Sequence, residues 1–274
     1  MTTPTILSIQ PLGFPWQTID PFPSCVHHND AYPQGNGAMA PGVSLDGRNM
    51  GQDFAGKDGW SMYHGSTIPG FPSRPHRGFE TVTITRQGLI DHSDSLGATA
   101  RFGKGDVQWL TAGQGIVHCE MFPLVNTDQP NPTELFQIWL NLPARNKMVK
   151  PHFTMFWHED IAQIHSNDEH GRSTEVICVA GSLGNARGLP PPPDSWASQS
   201  EADLAIWTIK MQPGARWTLP AATGKGTRRM LYYFKGTALT IGDQTVPPSS
   251  AVELSAGVDA ELTSGDTVTE ILVL

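Results

Sequence analysis

The sequence predicts an all-β chain made of two units of short strands, and three observations carry the prediction. At 274 residues the chain is longer than one typical domain and suits two of roughly 100–150 residues each. Its 28 Gly and 23 Pro interrupt the chain too often for long helices. Its apolar runs are short, rich in β-branched and aromatic residues, and show no convincing helical period. The units are read as residues 1–145 and 146–274.

Residues 1–35 are dense in Pro and aromatics (PLGFPWQTIDPFPSC). Proline fixes φ and removes a donor, so this segment is expected to be extended and irregular, packed through Phe14, Trp16 and Phe22. His27 and His28 are adjacent, and neighbours on extended chain point opposite ways, so one site would not use both. Residues 36–70 are Gly-rich with strand fragments such as 60–64. The β-branched run Glu80–Ile84 reads as a strand, as do GDVQWL (105–110) and ELFQIWLNL (134–142). Glycines near 95–105 and 111–116 supply tight turns. LPPPPDSWASQSE (189–201) is the clearest loop, its prolines favouring polyproline II. Strands follow at LAIWTIKM (204–211), RMLYYFKGTALTIG (229–242) and EILVL (270–274).

The formal charge is −8 and the pI about 5.6. Without a Lys/Arg block, direct nucleic-acid contact is not expected. Cys25, Cys119 and Cys178 are odd in number and widely spaced, which supports neither a disulfide framework nor a zinc ribbon. No window reaches the ~20 apolar residues of a membrane span and no basic leader opens the chain, so a cytoplasmic, reducing compartment is expected.

All ten histidines precede residue 171. Imidazole chemistry therefore belongs to the first unit, which leaves the second a structural or binding role. Within Arg74–Met121, residues i and i+2 of a strand share a face. His118 and Glu120 then point together, while Cys119 points the other way into the core. Arg74 and His76 form a similar pair, with Glu80 further along at the same parity. If the two strands adjoin, His76, His118 and Glu120 converge. Two imidazoles and a carboxylate suit non-haem iron with open positions, and zinc accepts the same ligands. His92 and Asp94, in the turn DHSDS, either line the site's mouth or simply stabilise the turn. Trp109 and Trp139 read as packing.

PHRGFETVT (75–83), DHSDSLG (91–97), GDVQWLTAGQGIVHCEM (105–121) and ELFQIWLNLP (134–143) resemble the pirin family of the cupin superfamily. The resemblance spans about residues 65–145. It implies two cupin-type antiparallel β-barrels (a bicupin), with one divalent transition metal, usually iron, in the first. Carried over by position, it implies His76, His118 and Glu120 as ligands. The family's remaining ligand is a histidine where this chain has Arg74. A guanidinium offers no lone pair and repels a cation. Two arrangements are open: Arg74 turns outward onto a substrate anion beside a three-ligand metal, or it pairs with Glu120 or Glu80 and fills a metal-free pocket. Glu80 occupies a position that carries a ligand in other cupins, and is read here as supporting the site. The resemblance implies two functions. One is a quercetinase-type dioxygenase acting on an aromatic flavonol and O2, with Glu120 as ligand or base. The other is a regulatory module that binds a protein partner, with or without metal.

Overall fold

The structure, a computed structural model, describes residues 4–274, and no α-helix occurs among them. The first two strands are β1 (Ile6–Pro11) and β2 (Ser24–Asp30). Next come β3 (Gly70–His76), β4 (Phe79–Gln87), β5 (Leu89–Asp94), β6 (Thr99–Gly103) and β7 (Val107–Thr111). Then follow β8 (Ile116–Met121), β9 (Thr133–Asn141), β10 (His152–Phe156), β11 (Ala162–Asn167) and β12 (Ser173–Ala180). A small hairpin, β13 (Ser182–Leu183) and β14 (Ala186–Arg187), precedes β15 (Ile206–Met211), β16 (Arg216–Leu219) and β17 (Arg229–Lys235). The chain ends with β18 (Leu239–Ile241), β19 (Gln244–Val246), β20 (Ser250–Leu254), β21 (Ala260–Ser264) and β22 (Thr269–Val273).

The strands form two compact units. One is Ser24–His158; the other joins the segment up to Pro23 to Glu159–Leu274. The sequence draws a single line between 145 and 146, but two pairings cross it. β10 lies beyond that line and pairs with β7, while β1 pairs with β20. Neither long-range pairing leaves a local mark in the sequence. The expectation of an irregular residue 1–35 segment is corrected in part, since β1 and β2 pair in sheets, β1 with a bulge between Ile6 and Ser8. The fragment at 60–64 is not a strand; Tyr63 makes only isolated bridges.

In the first unit, a five-stranded sheet (β10-β7-β4-β9-β2) and a four-stranded sheet (β3-β8-β5-β6) supply the barrel walls. The second unit is built likewise from β1-β20-β17-β22-β15-β12-β11 and β16-β21-β18-β19. All these pairings are antiparallel, as adjoining short strands and tight turns favour. The interiors differ. The second unit holds one continuous apolar core running from Val176 through Trp207, Leu231 and Tyr233 to Val273. In the first unit the apolar residues fall into separate clusters, one around Tyr32, Met62, Ile90 and Phe122 and another around Leu110 and Ile116. Further apolar residues such as Val82, Trp109, Ile138 and Leu140 are also buried in this unit, and a set of buried polar side chains, among them Thr83, Gln108, His118 and Glu120, forms the site.

The long connection before β3 is held by Asp30 at the end of β2. Its carboxylate accepts from Ser61 N at 2.9 Å and from Tyr63 Oη at 2.7 Å. Asp30 is only 4% exposed, and burial pushes its carboxyl up to about 6 against the pull of those donors. A raised folded-state value means that the native state holds the proton more tightly than the unfolded chain. Ionised Asp30 therefore costs stability above about pH 6, and the cost is relieved as pH falls toward 4. Asp30→Asn keeps an acceptor for Ser61 and gives Tyr63 a donor instead. Relative to wild type, the variant is expected to gain about 2 kcal/mol between pH 4.5 and pH 7.5. Urea denaturation at the two pH values measures that difference.

Candidate functional site

The site lies on the inner faces of the two sheets of the first unit. On the four-stranded sheet, Arg74 of β3 is opposite His118 of β8, and Asp94 and His92 of β5 are opposite His118 and Glu120. Alternation along β8 buries His118 and Glu120 and leaves Val117 exposed, as period-two geometry requires. Gly70 lets β3 approach β8: its φ is +125°, and a Cβ there would sit 2.6 Å from the Glu120 carbonyl oxygen. On the facing sheet, Thr83 of β4 lies between Gln108 of β7 and Gln137 of β9.

Glu120 is the centre of the polar contacts. Arg74 Nη2 donates to Glu120 Oε2 at 2.6 Å, and Arg74 Nη1 donates to the Phe71 carbonyl at 3.0 Å. Thr83 Oγ1 donates to Glu120 Oε1 at 2.9 Å. Thr83 also lies 2.8 Å from the Gln137 amide, whose Nε2 has no partner. Turning that amide over makes Nε2 the donor to Thr83 and frees the hydroxyl proton for Glu120. Burial works to raise the Glu120 carboxyl, but Arg74 and His118 outweigh it and hold it below the ordinary value. Glu120 is therefore an anion.

The imidazoles are in the opposite condition. Burial first, then Arg74, pushes His76 down to about 4. Burial pushes His118 down to about 3. Both are neutral near pH 7, with their ring centroids 4.8 Å apart. His76 Nε2 and both ring nitrogens of His118 are buried without a hydrogen-bond partner. Buried polar atoms are normally satisfied, so such orphans point to a missing partner. His92 is already satisfied. Its Nε2 lies 3.0 Å from Asp94 Oδ2 and its Nδ1 lies 3.3 Å from the Gln108 amide, so both ring nitrogens have partners. Its ring lies 5.5 Å from His118 and stacks on Phe153 at 4.7 Å.

The structure thus gathers Arg74, His76, His118, Glu120, His92 and Asp94. Asp94 stabilises the turn, its Oδ1 accepting from Leu96 N and Ala98 N, while its Oδ2 contacts His92. Glu80 is not gathered with them. It points to the other face of β4, where its Oε1 accepts from Thr111 Oγ1 at 2.7 Å and Trp109 Nε1 at 3.2 Å. The turn at Arg77–Gly78 ends β3 before β4 begins, so parity counted from His76 does not carry across. Cys119 is half-exposed beside Ser93 rather than in the core. Of the two arrangements open to Arg74, pairing with Glu120 is the one observed. Sequence reasoning missed Thr83, Gln108, Gln137 and Trp139; Trp139 lies 5.6 Å from His76 and 4.6 Å from Phe79, ring to ring. The signal was Thr81-Val-Thr83-Ile-Thr85, in which a fully buried strand places hydroxyls at alternate positions.

Two imidazoles with unpartnered nitrogens and one anionic carboxylate are a competent donor set for a divalent cation. A carboxylate has about four lone-pair positions, so the Arg74 and Thr83 hydrogen bonds leave acceptor capacity on Glu120. As the side chains stand, no three His, Cys, Asp or Glu among the described residues converge in ligand geometry. Arg74 has drawn the carboxylate to itself. The donor types fit a metal, with Arg74 competing for the carboxylate.

Two antiparallel barrels, the first with a histidine and glutamate pocket, make this chain a bicupin. The family model for pirin matches residues 45–140. A protein of Pseudomonas aeruginosa provisionally named quercetin 2,3-dioxygenase is 33% identical over 215 residues, covering 74% of this chain and 70% of that one. Human pirin is 30% identical over 208 residues, covering 74% and 65%. A crystal structure of quercetin 2,3-dioxygenase from Acinetobacter baumannii superposes with a TM-score of 0.71 at 23% identity, covering 98% of this chain and 85% of that one, and supports the fold. The chain belongs to the pirin family. It spans between half and seven tenths of the length of curated relatives such as these and an Arabidopsis pirin-like protein.

Replacing Arg74 with Met removes the cation that lowers His76 and Glu120. Both groups are expected to titrate at higher pH in Arg74→Met than in wild type. NMR titration of the ring and carboxyl signals in metal-free protein checks this.

Proposed function

We propose that the first unit is a metal-dependent, quercetinase-type oxygenase site that takes an aromatic flavonol and O2. His76, His118 and Glu120 hold the metal, and iron is the ion best matched to this donor set. A redox-active divalent ion supplies the Lewis acidity and electron transfer that ring cleavage by O2 requires. The observation that carries the reading is the pair of neutral, buried imidazoles with unpartnered nitrogens beside an anionic Glu120. The provisional name of the Pseudomonas relative supports the choice of substrate class.

The protein's own residues have three tasks. Trp139 and Phe79, tilted by 37° to one another, put two aromatic rings beside His76, and a planar flavonol stacks on one of them. Glu120 accepts the acidic hydroxyl proton of the flavonol, but while paired with Arg74 it is a weak base. Transfer of Arg74 from Glu120 to the substrate oxyanion resolves that conflict, since it raises the basicity of the carboxylate and places the guanidinium on the new negative charge. His92, tied to Asp94 and Gln108, keeps the ring beside His118 in place.

A second reading has its own observation. The Arg74–Glu120 ion pair, 24% and 3% exposed at its two side chains, satisfies the buried charge without a metal. It suits a regulatory module that binds a protein partner and performs no catalysis. No helix among the described residues is long and apolar enough to cross a membrane. Oxygen-electrode assays with quercetin separate the two readings. Iron-loaded protein is expected to consume O2, and His76→Ala to lose at least ~100-fold in kcat/KM. Iron-loaded protein without quercetin-dependent O2 uptake would leave the regulatory reading standing.

A further inference from the structure

We propose that the second unit carries its own binding site, for a small organic carboxylate with an apolar or aromatic body, anchored by Arg229. The site is a cavity of about 620 Å³ at one end of that unit's strands, within the size range of small-ligand pockets. The β13–β14 hairpin, the Leu189–Pro191 loop, Leu204, Trp207 and the Pro220–Thr223 segment line it together with Arg229. The prolines of the 189–201 loop, which the sequence marks as a stiff segment, thus wall a cavity.

Arg229 opens β17, and period-two geometry puts it on the same face as Leu231 and Tyr233. Those two side chains belong to the apolar core, so Arg229 points inward at the end of that core, where the cavity lies. It is only 6% exposed. Among the described residues its one hydrogen bond runs from Nη1 to the Pro220 carbonyl at 2.6 Å. A guanidinium has five N–H donors in a rigid fork, so this one keeps donors available to a ligand in the cavity that it lines. Its Nε–Nη2 edge matches a planar carboxylate in a two-point contact. The Trp207 ring lies 5.8 Å from the guanidinium carbon and supplies a flat wall for the ligand's body.

Asp203, the carboxylate lining the same cavity, does not satisfy Arg229. Its Oδ2 accepts from Thr223 N, Gly224 N and Thr227 Oγ1, and its Oδ1 from Thr223 Oγ1, at 2.7–3.1 Å. Those four donors turn Asp203 toward the 223–227 loop. Arg187, exposed on β14, adds a second cation at the rim. Two cations against one committed carboxylate leave the cavity net positive in a chain of net charge −8. A single excess charge and one planar fork select a monoanion. Leu183, Leu189, Leu204 and Trp207 select a ligand with an apolar body.

Isothermal titration calorimetry of the full chain with benzoate tests the assignment. Saturable binding with a Kd on the order of 1 mM or tighter is expected. Arg229→Met is expected to weaken it ~10–100-fold, the loss of a charge-assisted pair. Because a core-facing arginine also supports folding, Ala221→Trp provides a second test. It fills the cavity, leaves Arg229 in place and is expected to abolish binding with an unchanged circular dichroism spectrum. Arg74→Met, in the first unit, is expected to leave the Kd within about twofold, since Arg74 does not line the cavity. No saturable binding up to roughly 20 mM, or undiminished binding in Ala221→Trp or in folded Arg229→Met, overturns the proposal. Inorganic phosphate that displaces benzoate at equal or lower concentration overturns the carboxylate class.

Discussion

The hydrogen-bonded ion pair between Arg74 and Glu120 governs the first unit. A carboxylate 2% exposed between two sheets stays ionised only with a compensating cation, and here Arg74 is that cation. The same guanidinium disfavours protonation of His76 and so helps to keep it neutral. The Arg74–Glu120 pair thus sits beside the neutral imidazoles of His76 and His118, held by Thr83 and Gln137 from the facing sheet. Arg74 is held by two hydrogen bonds, to the Phe71 carbonyl and to Glu120, so its charge is fixed beside the carboxylate. Such a charge is useful where a substrate is bound as an anion.

The two units show how one strand plan serves different ends. In the first, Thr83, Gln108, Gln137, His92, His118 and Glu120 put hydrogen-bonding groups on the facing sides of the two sheets. In the second, apolar residues occupy the corresponding inner faces as one core. Buried polar side chains such as Thr174, Ser250 and Thr269 sit at strand ends around that core, and Arg229 meets a cavity at the start of β17.

Much of this was legible in the sequence. Gly and Pro frequency with short β-branched runs indicated the all-β class. The i, i+2 spacings of Arg74 with His76 and of His118 with Glu120 indicated the shared face. Other features depended on distance in space. The partner of β1 is β20, so the discontinuous second unit has no local signature. Glu80 seemed in phase with His76, but the turn between β3 and β4 broke the count. Trp139 and Gln137 entered the site through the pairing of β9 with β4, a register that no single segment encodes. Arg74 itself was visible as an anomaly, but its direction depended on which acceptor lay nearest.

The account rests on whether His76, His118 and Glu120 bind a metal despite Arg74. Elemental analysis of the full chain, loaded with ferrous iron without oxygen and then passed through a desalting column, measures this directly. The account expects about one iron per chain in wild type and near none in His118→Ala, the stoichiometry of a single three-ligand site. Wild-type protein that retains no more iron than His118→Ala would contradict it.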